Sequence, residues 1–302
     1  MRETRHIIAA DALDVGQYTT VITLLSDPLP LTASEWRLLG LAYLRSGRFP
    51  EAELPLLRAS TLGDPEGQVE YGNLLRASGN FDEALKHFEG IYPGLTGELQ
   101  LRCLRWWGTS EFQSGLSDVG LARCERAWYG YLALGDDVLT GRITQTLAQM
   151  HLTLGNRGRA KHLYQEALNI LPKSSNNSRS ASLQGLANIC IQEGDYDKAA
   201  EVLSEIRETV EISQSTIEKS RFLALEAEYY SEIGSVQEYS STLEKLRTVV
   251  HDLQDYELRC WTAVRLADLY SFQGKHSKAL EVLHDLSPSP ELPPRCWRPE
   301  AS

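Results

Sequence analysis

Along this chain apolar side chains recur at intervals of three and four residues, as in Ala52, Leu56 and Ala59 or Ala160, Tyr164 and Ala167. That is the spacing of one face of a helix. No run of alternating β-branched residues occurs, so the pattern predicts an all-α chain without a sheet. Between the helical stretches glycine falls on a beat, at 16, 47, 79, 115, 155, 194, 234 and 274. The spacing starts at 31 and 32 residues and settles at 39 to 40. A period of this size predicts a stack of one small unit.

Each unit reads as a helical hairpin. The first helix runs up to the glycine, whose left-handed backbone ends it without a Cβ penalty. A polar residue such as Asn80, Asn156 or Asp195 follows and is expected to cap the second helix. Two residues past the glycine an aromatic is common: Tyr18, Phe49, Phe81, Tyr196. Five past it stands a small residue (Ala52, Ala84, Ala160, Ala199, Ala279), expected where the two helices approach. Nine past it stands a large one (Leu56, Phe88, Tyr164, Leu203, Leu243) that fills the gap.

These residues resemble the tetratricopeptide repeat family. Trp36-x-x-Leu39-Gly40-x-x-Tyr43 followed by Gly47-x-Phe49-x-x-Ala52-x-x-x-Leu56-x-x-Ala59 matches that family's pattern position by position. Further copies read Tyr71-Gly72-x-x-Leu75 with Gly79-x-Phe81-x-x-Ala84-x-x-x-Phe88, Leu147-Ala148 with Gly155 and Ala160-x-x-x-Tyr164, and Leu186-Ala187 with Gly194-x-Tyr196-x-x-Ala199-x-x-x-Leu203. The resemblance spans residues 2–287 and implies a right-handed superhelical solenoid of about eight antiparallel helix hairpins. The later units, about 40 residues long, resemble the repeats of bacterial regulator sensor domains.

The change of period divides the chain into three shorter units over 1–98 and five longer ones over 99–287, continuous with the first, followed by a Pro-rich tail over 288–302. The unit around Gly115 carries Ser117 and Gly120 where an aromatic and alanine are usual, and the unit around Gly234 carries Tyr239 in the small position. Both hairpins are expected to pack more loosely or at altered angles. Pro172–Ser178 reads as a polar loop. In the tail, prolines forbid a helix, leaving Leu292 and Trp297 either to fold back over the last repeat or to stay unstructured.

The formal net charge of −11 argues against direct contact with nucleic acid or an anionic membrane. The chain shows neither a signal-peptide pattern nor an apolar run long enough to span a bilayer, and a cytoplasmic location is expected. Its five cysteines, Cys103, Cys124, Cys190, Cys260 and Cys296, show no CxxC and read as buried thiols in a reducing compartment. No nucleotide-binding loop, HExxH or GxSxG occurs, and the seven histidines are scattered. The expectation is therefore a protein that is not an enzyme, with no cofactor and no metal site.

In the family this chain resembles, the first helix of each hairpin lines the concave wall, at its second, fifth, ninth and twelfth positions when the glycine is the fifteenth. Counting back from the glycines gives Arg37, Asn73, Arg76, Arg102, Arg105, Thr109, Arg142, Gln145, Gln149, Gln184, Asn188 and Arg221, then Glu228, Trp261 and Asp268. The middle of the groove is thus expected to be basic and amide-rich within an acidic protein. Arginine forks suit carboxylates, and amides pair both ways with a peptide backbone. The function expected is a non-catalytic scaffold binding a protein or peptide with an acidic or extended segment, with the acidic end at Glu228 and Asp268 orienting it. The alternatives are a ligand-sensing module of a transcriptional regulator lacking its DNA-binding part, a solvated charged face with Arg102 and Arg105 paired to Glu98 or Glu111, and, least favoured, an enzyme on a helical scaffold. Self-association through the solenoid ends is a further expectation. Trp106-Trp107 reads either as packing between repeats or as a cage for a cation.

Overall fold

The structure, a computed structural model, describes residues 2–26, 30–173, 176–212, 216–251 and 256–284. Among the described residues there are sixteen α-helices and no strand. They are α1 (Arg2–Asp14), α2 (Tyr18–Leu25), α3 (Ala33–Arg45), α4 (Phe49–Thr61), α5 (Pro65–Ala77), α6 (Phe81–Ile91), α7 (Gly97–Gln113) and α8 (Ser117–Leu134), then α9 (Asp137–Thr153), α10 (Arg157–Ile170), α11 (Asn176–Glu193), α12 (Tyr196–Ile212), α13 (Thr216–Glu232), α14 (Val236–His251), α15 (Tyr256–Phe272) and α16 (His276–His284). Odd- and even-numbered helices pair into eight hairpins. First helices run 13 residues in the first three hairpins and 17 or 18 in the last five.

All eight glycines of the beat have positive φ. Around Gly79 the amide of Gly79 donates to the Arg76 carbonyl and that of Asn80 to the Leu75 carbonyl, at 3.0 and 2.9 Å. The same pair of bonds closes α9 at Gly155 and Asn156. The polar residue after the glycine therefore helps finish the preceding helix with its backbone. The Asn80 and Asn156 side chains make no cap bond to the second helix, which corrects the expectation; Asp195 does accept from the Lys198 amide.

Within a hairpin, a glycine on the first helix admits the large residue of the second. A Cβ on Gly40 would stand 2.5 Å from Leu56, and one on Gly72 2.5 Å from the Phe88 ring. Leu56 and Phe88 are fully buried. Of the two outcomes expected for the α7–α8 hairpin, looser packing is not what the structure shows. Gly120 faces Gly108 so directly that its absent side chain brings the two backbones together, and the pair packs closely rather than loosely. The Pro172–Ser178 loop is also shorter than expected. Pro172 follows the end of α10, but α11 has already begun at Asn176, and Ser178 is buried within it. The Pro-rich tail and its Leu292 and Trp297 lie outside the described residues.

Buried apolar residues form a succession of clusters along the stack, one from Ala9 to Leu74, another from Leu104 to Ile189, and a third from Leu183 to Leu225. First helices of successive hairpins touch one another: α3 on α5, α5 on α7, α7 on α9, α9 on α11, α11 on α13. No two second helices make a comparable contact among the described residues. Helices crowded on one side and splayed on the other make a curved stack, with the first helices on the inside of the curve.

Candidate functional site

The inside wall carries a ladder of polar contacts between first helices. Arg37 on α3 bonds Asp64 at 2.8 Å and lies 2.9 Å from Glu66 of α5. Arg76 on α5 donates to Asn73 on its own helix and to Gln113 of α7 at 3.0 Å. Arg105 on α7 donates to Thr146 of α9 at 3.1 Å, and Arg142 on α9 to Ser178 of α11 at 3.2 Å. The twist of the stack, and not any local sequence signal, brings each arginine onto the next unit.

The predicted groove residues divide by what they already hold. Arg37 is neutralised by Asp64 and Glu66. Arg102 reaches Glu98 at 2.6 Å and lies near Glu66 and Glu70. Burial would lower its pKa, but the Glu98 hydrogen bond and the charges of Glu70, Glu98 and Glu66 outweigh it and raise it. Glu111 does not pair with either groove arginine; it takes Arg123 with both oxygens, at 2.7 Å each. Gln149 accepts the Tyr164 hydroxyl at 2.8 Å. Gln184 donates to Ser180, Asn188 accepts from Gln192, Asn73 donates to Glu70, and the Thr109 hydroxyl donates to the Arg105 carbonyl. Gln145 is half-buried, and Arg221 and Asp268 are exposed. The Trp261 side chain lies outside the described residues.

Arg76, Arg105 and Arg142 differ from the rest. Among the described residues no carboxylate stands within ion-pair reach of any of them, and their hydrogen-bond partners are neutral. Desolvation, then repulsion from Arg105 and from Arg221 against the attraction of Glu70, pulls the Arg76 guanidinium down to about 10. Arg105 is lowered by desolvation and by Arg142, and Arg142 by desolvation and by Arg45 and Arg102. Positive charge from α3, α5, α7, α9 and α13 thus converges on one region, offset in part by Glu70 and Asp136.

Two of these arginines also account for one of the two tryptophans. The guanidinium carbons of Arg76 and Arg105 lie 5.0 and 4.4 Å from the centre of the Trp106 ring. Arg123 lies 3.6 Å from that of Trp107, against whose edge Tyr92 packs. Both indoles are half-buried and already engage the chain's own cations. Sequence reasoning foresaw a cage or a packed core, and it missed that two groove arginines take the Trp106 ring while Arg123 takes that of Trp107.

Further along, where Tyr239 stands in the small position, a cleft of about 600 Å³ opens, lined by Asn188, Tyr196, Glu228, Glu232, Tyr239 and Arg265 among others. Crowding in the cleft, and the charge of Glu232 against that of Arg265, holds the Glu228 carboxyl above its ordinary range. Among the described residues no three metal-ligating side chains come together, and no helix is long and apolar enough to cross a membrane.

This arrangement of hairpins and inner wall defines a tetratricopeptide-repeat-type helical solenoid. Residues 182–205 match the tetratricopeptide repeat family. Among solved structures, a Rap protein complexed with competence and sporulation factor is similar with a TM-score of 0.65 at 13% identity, over 87% of this chain and 78% of that one. The apo form of the quorum sensor NprR from B. thuringiensis is similar with a TM-score of 0.64 at 12% identity, over 94% of this chain and 85% of that one. The Cut9–Hcn1 hetero-tetramer of APC/C gives 0.62 at 16% identity, over 94% of this chain and 53% of that one. No curated protein sequence matches this one.

Proposed function

We propose that the chain is a non-catalytic scaffold whose concave wall binds an extended protein or peptide segment, with the anionic part of that segment at Arg76, Arg105 and Arg142. The observation that carries this reading is that none of those three arginines has a carboxylate within ion-pair reach among the described residues, inside a chain of net charge −11. A stack that has acid to spare and leaves these guanidiniums without it presents a site for an outside anion. Gln145, Gln149, Gln184 and Asn188 lie along the same wall and supply amide groups for a main chain, with the buried Asn73 holding Arg76, while Arg37, Arg102 and Arg221 flank it. Glu228 and Asp268 at the far end favour a basic or amino-terminal group. The partner is neither nucleic acid nor membrane in this reading, and the protein works in the cytoplasm. The likeness in fold to a Rap protein complexed with competence and sporulation factor supports a bound factor here.

The alternative, a sensing module of a regulator, uses the same wall, and the likeness to the quorum sensor NprR favours it over self-association or catalysis. The two differ in whether a DNA-binding protein co-purifies. The test is affinity capture with mass spectrometry of the wild type against the double variant Arg105→Glu, Arg142→Glu. The variant is expected to keep its helical content and lose the captured set; retention of the same partners at the same yield would sink the assignment.

A further inference from the structure

The joint between the α9–α10 and α11–α12 hairpins shows which positions meet when one hairpin stacks on the next. Positions are counted from the glycine of each hairpin. Two past Gly155, Arg157 donates to Gln192, two before Gly194, at 3.2 Å. Six past Gly155, Lys161 pairs at 2.7 Å with Glu193, just before Gly194. Nine past Gly155, Tyr164 lies against Gly185, nine before Gly194, where a Cβ would stand 2.2 Å from its ring. The ninth position is 2% exposed or less in each of the first seven hairpins, from Leu25 to Leu243.

The last hairpin departs from this. Its ninth residue, Leu283, is 41% exposed, and its sixth, Leu280, is 69% exposed. At the opposite end of the stack α1 exposes the matching positions. Val15, just before Gly16, is 70% exposed, and Ile7, nine before it, is 57% exposed. The second position of the last hairpin is His276, and its counterpart on α1 is Asp14, both exposed. In the internal register the two end faces therefore match apolar to apolar twice and imidazole to carboxylate once. A solenoid end that stands in water carries a polar outer face, whereas these faces keep the side chains of a joint. We infer that the α16 face docks the α1 face of a second copy of this chain, head to tail, with Leu280 on Val15, Leu283 on Ile7 and His276 beside Asp14. The joint lies at the ends of the stack, so it goes beyond the groove reading and does not depend on it. Because the two faces differ, each added copy presents a fresh one, and the assembly grows into a filament or a ring rather than a two-fold dimer.

Sedimentation of the full chain at rising concentration is the test. The wild type is expected to grow past two copies. Leu280→Lys and Val15→Glu each charge one end face, and each should weaken association at least about tenfold, the loss of one buried aliphatic contact. Both sites are exposed, so the variants should keep the wild-type circular dichroism. The two changes combined in one chain rebuild the Lys161–Glu193 pair at the joint and should recover most of the loss. An equimolar mixture of Val15→Glu with Leu280→Glu should stop at two copies, since each chain then offers one working face. A wild type that stays monomeric throughout would overturn the joint. Association that appears only after removal of residues 285–302 would make that segment, and not a second copy, the occupant of the α16 face. Association unmoved by Leu280→Lys and by Val15→Glu would place the contact elsewhere and overturn the proposal.

Discussion

Gly120 and Gly108 bring α8 and α7 together so closely that a Cβ on Gly120 would lie 2.4 Å from the Gly108 carbonyl oxygen and 2.6 Å from the Phe112 amide nitrogen. Both obstacles are backbone and cannot swing aside. Gly120→Ala is therefore expected to cost about 1–3 kcal/mol, the range for overpacking, and to lower the melting temperature. Gly90, exposed near the end of α6 with open space where its Cβ would go, is the control. Gly90→Ala should be neutral or stabilising by about 0.5–1 kcal/mol. Thermal melts of the two variants followed by circular dichroism check both signs.

At the other end of the stack, Arg5 of α1 donates through Nε and Nη2 to Glu35 Oε1 of α3, at 3.1 and 3.0 Å, with both side chains buried. The other oxygen of Glu35 takes the amide and hydroxyl of Thr32, closing the capping box that starts α3. Burial would raise the carboxyl's pKa. The bonds from the Thr32 backbone, Arg5 and the Thr32 hydroxyl, with the Arg5 charge, overcome that and hold it below its ordinary 4.5. A depressed folded value means that the stabilisation is present above 4.5 and is lost as the pH falls through the lower folded value. Glu35→Gln should cost about 3 kcal/mol at neutral pH, the low end for breaking a buried pair. The gap to wild type should narrow in denaturant titrations run below pH 4.5.

Cys103 and Cys124 are fully buried, and burial pushes both thiols up to about 12. Cys190 is also buried, and its thiol is raised for the same reason. A thiolate is the reactive form, so these three thiols should resist alkylation in the folded protein at pH 8 and label fully once it is unfolded. Peptide mapping after timed iodoacetamide treatment reads each site. Prompt labelling of Cys124 would contradict its packing against the Arg105 carbonyl at 3.6 Å.

Tyr164 is a buried large residue of α10 whose hydroxyl reaches Gln149 Oε1. Tyr164→Phe keeps the ring against Gly185 and removes one hydrogen bond, so a loss of about 1 kcal/mol is expected. The freed Gln149 should leave the groove's affinity for a captured partner unchanged within about twofold, or raise it. A tenfold fall would mean that Gln149 must be held by Tyr164 to serve the groove.

The hairpin stack was legible because its signals are local. A glycine beat, a small residue five positions on and a large one nine positions on all belong to one unit, and the glycines take positive φ as that reading requires. What the sequence hid depends on neighbours one or more units away. Arg37 is a groove position by register, yet its acids Asp64 and Glu66 stand 27 and 29 residues on. Trp106 looks like core or cage until Arg76, 30 residues earlier, arrives on its face. Those pairings are set by the angle between units, which no single repeat encodes.

The separate apolar clusters strung along the stack have a mechanical consequence. Tension applied at the two ends would meet no single keystone. Each cluster ties together neighbouring hairpins and resists on its own, so an optical trap should record a staircase of ruptures, and slackening should let the chain rewind cluster by cluster.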